Sequence, residues 1–199
     1  MGAQTVAVDR RFPSHHALFI AVFAGLLVLS LRDWLEGDMV RHMLIEFPLL
    51  LIAGAAIGRA LDERFGAQIA CCNQMGLVGF AFASITLAYW MIPAALDAAL
   101  LDEWVAVGKY ISLVASGALL WSSFAAAPLA VQAFFVGNFA CMTATVGLIY
   151  QSAPQQLCLN YQADTQAAAG EGLVAAAVIA ACTWCVSVAP AFLESGADA

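Results

Sequence analysis

The chain has 199 residues, of which 63% are hydrophobic and 11% are charged, and its formal net charge is -7. A soluble domain has roughly 45–50% apolar and about 25% charged residues, so this composition excludes an ordinary water-soluble domain and indicates a surface that faces lipid. With only 7 Lys and Arg residues, the chain also lacks the clustered basic side chains that nucleic-acid binding needs.

Six apolar runs follow one another along the chain, and about 20 apolar residues are needed to cross a bilayer. In chain order they cover residues 17–31, 39–60, 69–96, 104–124, 128–150 and 170–192. They predict an all-α integral membrane bundle of about six transmembrane helices, with the lipid bilayer as its surroundings. Residues 1–199 form one predicted domain, with a short polar tail at residues 1–15 and a polar outer loop at residues 151–169.

The orientation of the bundle follows from the basic residues in its short loops. Arg10 and Arg11 precede the first apolar run, and no small-residue cleavage site follows it, so we interpret this run as a retained helix rather than a signal peptide. With the N-terminus in the cytoplasm, four basic residues are cytoplasmic and three are outside. The sequence therefore favours a cytoplasmic N-terminus.

Polar side chains concentrate on the outer face of the predicted bundle. Ionisable groups are costly at membrane depth, so their positions point to function. When the helices alternate in direction, the outer helix ends bring together Glu46, Asp97, Lys109, Tyr110, Asp164 and Gln166. We expect any function within the chain to lie at this face.

A stripe of polar residues opens the second predicted helix. Asp38, His42 and Glu46 are four residues apart, which puts them on one face of a helix. Asp and His at this spacing can hold one metal ion, and Met43 adds a thioether of the kind that suits Cu(I).

The same stripe has a second interpretation that needs no metal. It can be an interfacial anchor in which His42 bonds Asp38. Glu46 then pairs with Lys109 or with Arg41. The spacing leaves both interpretations open.

Most of the 6 cysteines fall inside apolar runs, where packing is the expected role. Cys182 and Cys185 form a CxxC pair, but a redox role needs polar, electropositive surroundings, so we interpret the pair as packing. Cys158 differs because it lies in the polar outer loop. Metal ligation and an inert, sheltered thiol both remain open for it.

Gly54 and Gly58 form a GxxxG pair in the second run. Such pairs let two helices approach closely in lipid. Chance glycines in an Ala-rich segment are the alternative.

Four strings in the chain share their order and spacing with a known pattern. Residues 38–45, DMVRHMLI, precede a Pro-Leu-Leu stretch at residues 48–54. The later strings are WMIPAALDAAL at residues 90–100, the helix of residues 112–121, and residues 159–172 with Asp164, Gln166 and Gly170. Together they resemble the polytopic CtaG-type family of cytochrome c oxidase assembly proteins, which is associated with caa-type oxidases.

The resemblance implies a non-enzymatic role in the bacterial inner membrane: assisting the assembly of a respiratory copper-containing oxidase or inserting its copper. The implied partner is an oxidase subunit, and the implied cofactor is copper. His42, Met43 and Asp38 would be the remaining metal-contacting residues, with Met91 and Cys158 as additional ligands.

The chain departs from the family where the ligands should be. Asp38 replaces the first His of the family's doubled His-Met motif, and Lys109 and Tyr110 stand where an acid and a histidine are expected. Lys109 and Glu46 have opposite charges on neighbouring outer helix ends, so a salt bridge can take the place of a metal site. The second hypothesis is therefore a metal-free accessory or structural subunit of a multi-protein membrane complex.

Overall fold

A computed structural model describes residues 14–161 and 163–197, and these residues form an all-α bundle with no strand. In chain order the helices are α1 (Ser14–Ser30), α2 (Arg32–Glu36), α3 (Met39–Arg41), a π-helical turn (His42–Glu46), α4 (Phe47–Cys72), a 3-10 turn (Gln74–Gly76), α5 (Leu77–Trp90), α6 (Pro93–Leu101), α7 (Glu103–Ala126), α8 (Leu129–Ser152) and α9 (Ala163–Ala197). The predicted all-α fold is confirmed.

Several of these helices are long and apolar enough to cross a membrane. Four qualify alone: Met39–Cys72, Glu103–Ala126, Leu129–Ser152 and Asp164–Pro190. A fifth is added if α5 and α6, which are bent by 77° to one another, count as one broken span. Helix α1 is apolar but has 17 residues, fewer than the roughly 20 that a straight span needs. The predicted number of about six is reached only when the bent pair and α1 are both counted.

The predicted third run, residues 69–96, is divided in the structure. Its first residues belong to the end of α4, which passes a kink at Phe65 and continues to Cys72. A turn with left-handed backbone at Met75 and Gly76 then leads into α5. At the other end, Ile92 is extended before Pro93, because a residue that precedes proline avoids the helical region. The apolar run therefore contains two breaks in the helix that hydropathy does not register.

The polar outer loop is shorter than predicted. Helix α8 continues to Ser152 and α9 begins at Ala163, so the described part of the connection comprises residues 153–161, within the predicted 151–169. The Gln166 amide joins the first turns of α9 to the loop and to α8: its oxygen accepts a hydrogen bond from Leu157 N at 2.7 Å, and its nitrogen donates to Tyr150 O at 3.2 Å. Residues 1–13 of the predicted N-terminal tail, which include Arg10 and Arg11, lie outside the described residues. The last two residues of that tail belong to α1.

Glycines allow α4 and α7 to pack closely. A Cβ atom at Gly54 would overlap the carbonyl oxygen of Val114, and one at Gly117 would overlap that of Leu51. Gly58 meets the backbone of Ala118 in the same way, so the predicted GxxxG pair forms the contact between α4 and α7. Close packing rather than chance explains this pair.

One end of the bundle is covered by α6 and the loop 153–161, and we call it the polar end. The carboxylate of Asp97 in α6 accepts hydrogen bonds from Leu159 N at 2.9 Å, from Asn160 N at 3.2 Å and from the Asn160 amide at 3.0 Å. These bonds hold the loop against α6. The loop in turn places Tyr161 over the start of the Met39–Cys72 span.

Candidate functional site

A buried lysine lies at the centre of the polar end. The side chain of Lys109 in α7 has no solvent exposure. Its Nζ lies 2.8 Å from Glu36 Oε1, 2.8 Å from His42 Nε2 and 2.7 Å from Glu46 Oε1. One ammonium group therefore contacts three side chains that come from α2 and the π-helical turn.

The π-helical turn brings His42 and Glu46 to the same lysine. Pro48, in the first turn of α4, has no N–H to bond Leu44 O, and its ring crowds that carbonyl in a regular helix. Widening the preceding turn relieves this conflict, and such turns recur at functional sites. His42 Nε2 then lies 3.7 Å from Glu46 Oε2, with both side chains fully buried.

The lysine fixes the tautomer of His42. An ammonium group can only donate hydrogen bonds, so His42 Nε2 is the acceptor of the Lys109 bond. His42 Nδ1 then carries the ring proton and donates it to the hydroxyl of Tyr161. Tyr161 lies outside the membrane-spanning segments, and burial, followed by the charge of Glu36, raises the pKa of its phenol above the usual value. His42 is therefore a neutral connector between the loop and the buried lysine.

Glu36 connects the buried charges to the rim. Its Oε2 accepts a hydrogen bond from Arg32 Nε at 2.9 Å, and its Oε1 accepts one from the Tyr110 hydroxyl at 2.8 Å. Burial alone would raise the pKa of Glu36, but the hydrogen bond and charge of Lys109, together with Arg32 and Tyr110, lower it below the usual value. Glu36 is therefore ionised near neutral pH. We call the connected residues the Lys109 cluster: Arg32, Glu36, His42, Glu46, Lys109, Tyr110 and Tyr161.

Glu46 is the least satisfied member of the Lys109 cluster. Neither of its buried carboxylate oxygens has an aligned hydrogen-bond donor among the described residues. Its Oε1 nevertheless lies 2.7 Å from Lys109 Nζ and forms an ion pair with it. Two carboxylates, Glu36 and Glu46, face two bases, Lys109 and Arg32, so the charges of the cluster balance without a further cation.

The Lys109 cluster also contains a possible set of metal ligands. Glu36, His42 and Glu46 each offer one atom, and the three atoms lie within 4.8 Å of one another. Lys109 Nζ contacts all three residues, so an ammonium group stands where an ion would be held. Two carboxylates and one imidazole suit harder divalent ions, whereas Cu(I) prefers sulfur ligands. The donor set does not fit Cu(I).

The other residues predicted to bind metal have separate structural roles. The Asp38 carboxylate caps α3, accepting hydrogen bonds from Val40 N at 2.9 Å and Arg41 N at 3.2 Å. It lies 3.9 Å from Arg41 Nε as well. Asp38 therefore serves the helix start and does not belong to the group of Glu36, His42 and Glu46, so its role as a metal ligand stays a prediction.

The sulfur-containing candidates lie in the core. Met43 and Met91 are buried there, and the carbonyl of Met91 accepts a hydrogen bond from the Tyr150 hydroxyl at 2.7 Å. Cys158 is fully buried, with its Sγ 4.0 Å from Pro93 O. Burial, followed by the charge of Asp97, raises the pKa of the Cys158 thiol to about 12. The environment of Cys158 matches the sheltered thiol.

Five of the six polar outer-face residues predicted from sequence divide into two groups, and Asp164 belongs to neither. Glu46, Lys109 and Tyr110 belong to the Lys109 cluster, and the predicted pairing of Glu46 with Lys109 is present. Asp97 and Gln166 instead hold the loop 153–161. Asp164 is exposed in the first turn of α9, where its carboxylate accepts a hydrogen bond from Thr165 N at 2.9 Å.

Sequence reasoning missed Glu36 and Tyr161 as members of the site. Arg32 and Glu36 are four residues apart in the short segment between the first two apolar runs, which is a usable signal for a paired, helical segment. Tyr161 offers no such signal, because its contact with His42 spans 119 positions and depends on how the loop folds back.

A second polar cluster lies at the opposite end of α4. Asn73 is buried, and its amide nitrogen donates to Ser122 Oγ at 3.2 Å and to Ser123 Oγ at 2.9 Å. Its amide oxygen accepts a hydrogen bond from Gly79 N at 3.0 Å. We call Asn73, Gly79, Ser122 and Ser123 the Asn73 cluster. It contains no charge and closes the turn between α4 and α5 onto α7.

Comparisons of the chain with protein-family models, with curated proteins and with solved structures find no match in any of the three. The resemblance to the CtaG-type family therefore stays a prediction from sequence.

Proposed function

We propose that the chain is a non-catalytic accessory or assembly subunit of a multi-protein membrane complex, and that the Lys109 cluster fixes its shape without a metal ion. The observation that carries this proposal is the position of Lys109 Nζ, 2.7–2.8 Å from Glu36, His42 and Glu46. The ammonium group makes the contacts that a metal would make. The balanced charges of the cluster leave no need for a second cation.

The physical role of such a cluster is to select one arrangement of the helices. Helices in lipid gain little from the hydrophobic effect when they associate, so packing and interhelical polar contacts determine which surfaces meet. The Lys109 cluster joins α2, the π-helical turn, α7 and the loop that ends at Tyr161. A buried ion pair can specify a geometry even when it adds little net stability.

The sequence strings that resemble the CtaG-type family support a respiratory copper-containing oxidase as the complex. On this proposal the chain belongs to the bacterial inner membrane, with its N-terminus in the cytoplasm and the polar end outside. An oxidase subunit is the expected partner.

Copper insertion is the second candidate function. The closeness of Glu36, His42 and Glu46 favours a metal-binding role. Binding an ion there requires the Lys109 side chain to leave, because its ammonium group contacts each of the three residues. The metal-free role needs no such rearrangement and is supported better.

The test is to purify the tagged chain from its native membranes under mild detergent and to measure its partners and metals together. We expect co-migration with a larger membrane complex on native gels and no stoichiometric metal. Lys109→Met should abolish co-migration, while a control at an exposed lipid-facing position, Val178→Ala, should retain it. A chain that migrates alone, or that carries about one copper per chain which His42→Ala removes, would refute the proposal.

A further inference from the structure

An apolar cleft of about 430 Å³ separates the α8–α9 pair from α5 and α7. Its walls come from α4, α5, α7, α8 and α9, and include Phe80, Leu87, Phe124, Phe139 and Trp184. All of these helices belong to membrane-spanning segments or to the bent pair. The cleft therefore lies between membrane-spanning helices, and none of the residues that line it belongs to the Lys109 cluster.

The cleft has few polar groups, and two of them, on Trp184 and Ser187, make hydrogen bonds within the protein. The indole nitrogen of Trp184 donates to Gln132 Oε1 at 3.1 Å, and the Ser187 hydroxyl donates to Trp184 O at 2.7 Å. Thr183 and Ser187 are exposed, so the cleft opens to the surroundings beside α9. Its interior offers no charged side chain to a ligand.

The size and chemistry of the cleft identify its occupant. Water needs two or more polar partners to occupy a cavity, and these walls do not supply them. A partner's transmembrane helix is too large, because a helix about 10 Å wide and about 30 Å long fills roughly 2,400 Å³, several times the volume of the cleft. A flexible hydrocarbon chain fits the volume, and the bilayer beside the opening supplies one.

We propose that the cleft binds one acyl chain of a bilayer phospholipid. The chain enters beside Thr183 and Ser187 and packs against Phe80 and Phe139. The acyl chain makes dispersion contacts with both walls of the cleft, where the α8–α9 pair and the helices α5 and α7 do not contact one another directly. This site is independent of the proposed function, because no member of the Lys109 cluster lines it.

The first test measures lipid retained by the purified full chain with native mass spectrometry. Ala180 lines the cleft and is half-buried, so Ala180→Phe should fill the space. The matched control is Val178→Phe on the same helix, since Val178 is exposed and does not line the cleft. We expect the wild type and Val178→Phe to retain about one phospholipid and Ala180→Phe to lose it. Equal retention in all three, or no retained lipid in the wild type, would overturn the proposal.

A second test remains valid if Ala180→Phe fails to fold. The chain has 5 tryptophans, so one variant can keep only Trp184 in the cleft and another only Trp104, which is 84% exposed. Both are reconstituted in phosphatidylcholine brominated in the acyl chain and then diluted into unbrominated lipid. We expect quenching of Trp184 to persist after that of Trp104 has decayed. Decay at the same rate, or a co-purifying protein that shields Trp184, would refute the proposal.

Discussion

The two buried polar clusters lie at opposite ends of α4. They differ in charge and in how completely their polar atoms are hydrogen-bonded. In the Asn73 cluster both donors and the acceptor of the amide have partners. In the Lys109 cluster, four charged residues are held together and the carboxylate of Glu46 lacks an aligned donor. The neutral cluster closes a turn, whereas the charged one joins segments separated by up to 119 positions.

This difference indicates what each cluster contributes. A buried side-chain amide whose donors and acceptor all have hydrogen-bond partners adds no unsatisfied polar atom to the core. A buried group of charges is costly to assemble and is strongly destabilising when one partner is lost. Ionisable groups inside a membrane bundle are costly and often mark functional sites, and this is why we propose a function at the Lys109 cluster.

The largest expected effect follows from removing the lysine. Lys109→Met leaves Glu36 and Glu46 facing one another without the intervening positive charge, and loss of one partner of a buried pair costs about 3–5 kcal/mol. Thermal unfolding in detergent should therefore shift strongly downward. The double variant Lys109→Met with Glu46→Leu removes both charges of one pair and should recover most of the loss. Little change in the single variant would contradict the role given to Lys109.

A smaller effect is expected at the opposite end. Asn73→Ala removes the amide and leaves Gly79 N without its acceptor, which costs about 1–3 kcal/mol. The unfolding midpoint should fall less than in Lys109→Met. Asn73→Ala should leave native-gel co-migration with the complex unchanged, and loss of that complex would show that the two clusters do not differ in function.

Tyr161→Phe tests the link between the loop and His42. It leaves the buried His42 Nδ1–H without its acceptor, and the expected cost is about 1–3 kcal/mol. The matched control is Tyr89→Phe, because the side chain of Tyr89 is half exposed on α5. Equal unfolding midpoints for the two variants would show that the hydrogen bond between Tyr161 and His42 does not stabilise the fold.

The pH dependence of stability tests Glu36 with the smallest expected effect. Its pKa is lowered in the folded chain from the usual 4.5, so the unfolded chain binds this proton more tightly. The stabilisation is complete above pH 4.5 and is lost as the pH falls through the lowered value. Unfolding midpoints measured from pH 7 downward should therefore drop less in Glu36→Gln than in the wild type. Parallel curves would show that Glu36 is not held as an ion.

The fold was predictable from sequence where hydropathy and composition decide it. The apolar runs predicted the helical membrane bundle. Gly54 and Gly58 indicated a close helix contact, without naming the partner helix, and this contact is the one between α4 and α7. The breaks at Met75 and at Ile92 were missed, because both lie within one continuous apolar run. Hydropathy reports how apolar a side chain is and carries no information on the direction of the backbone.

The site was predictable only in part. Opposite charges near the same rim predicted the pairing of Glu46 with Lys109. Asp38, which the sequence predicted as a ligand, caps α3, and Asp is among the residues preferred at the start of a helix. Tyr161 was out of reach because a long-range contact leaves no periodic pattern in the sequence.

The most direct test of the central claim, that Lys109 stands in place of a metal ion, is a metal titration of the purified wild type followed by elemental analysis. Cu(I), Zn²⁺ and Co²⁺ are offered separately to the wild type, to Lys109→Ala and to Lys109→Ala combined with His42→Ala. We predict that the wild type retains none of the three metals, and that Lys109→Ala gains a divalent ion which the double variant loses. A wild-type chain that holds about one metal ion per molecule with Lys109 in place would contradict the claim.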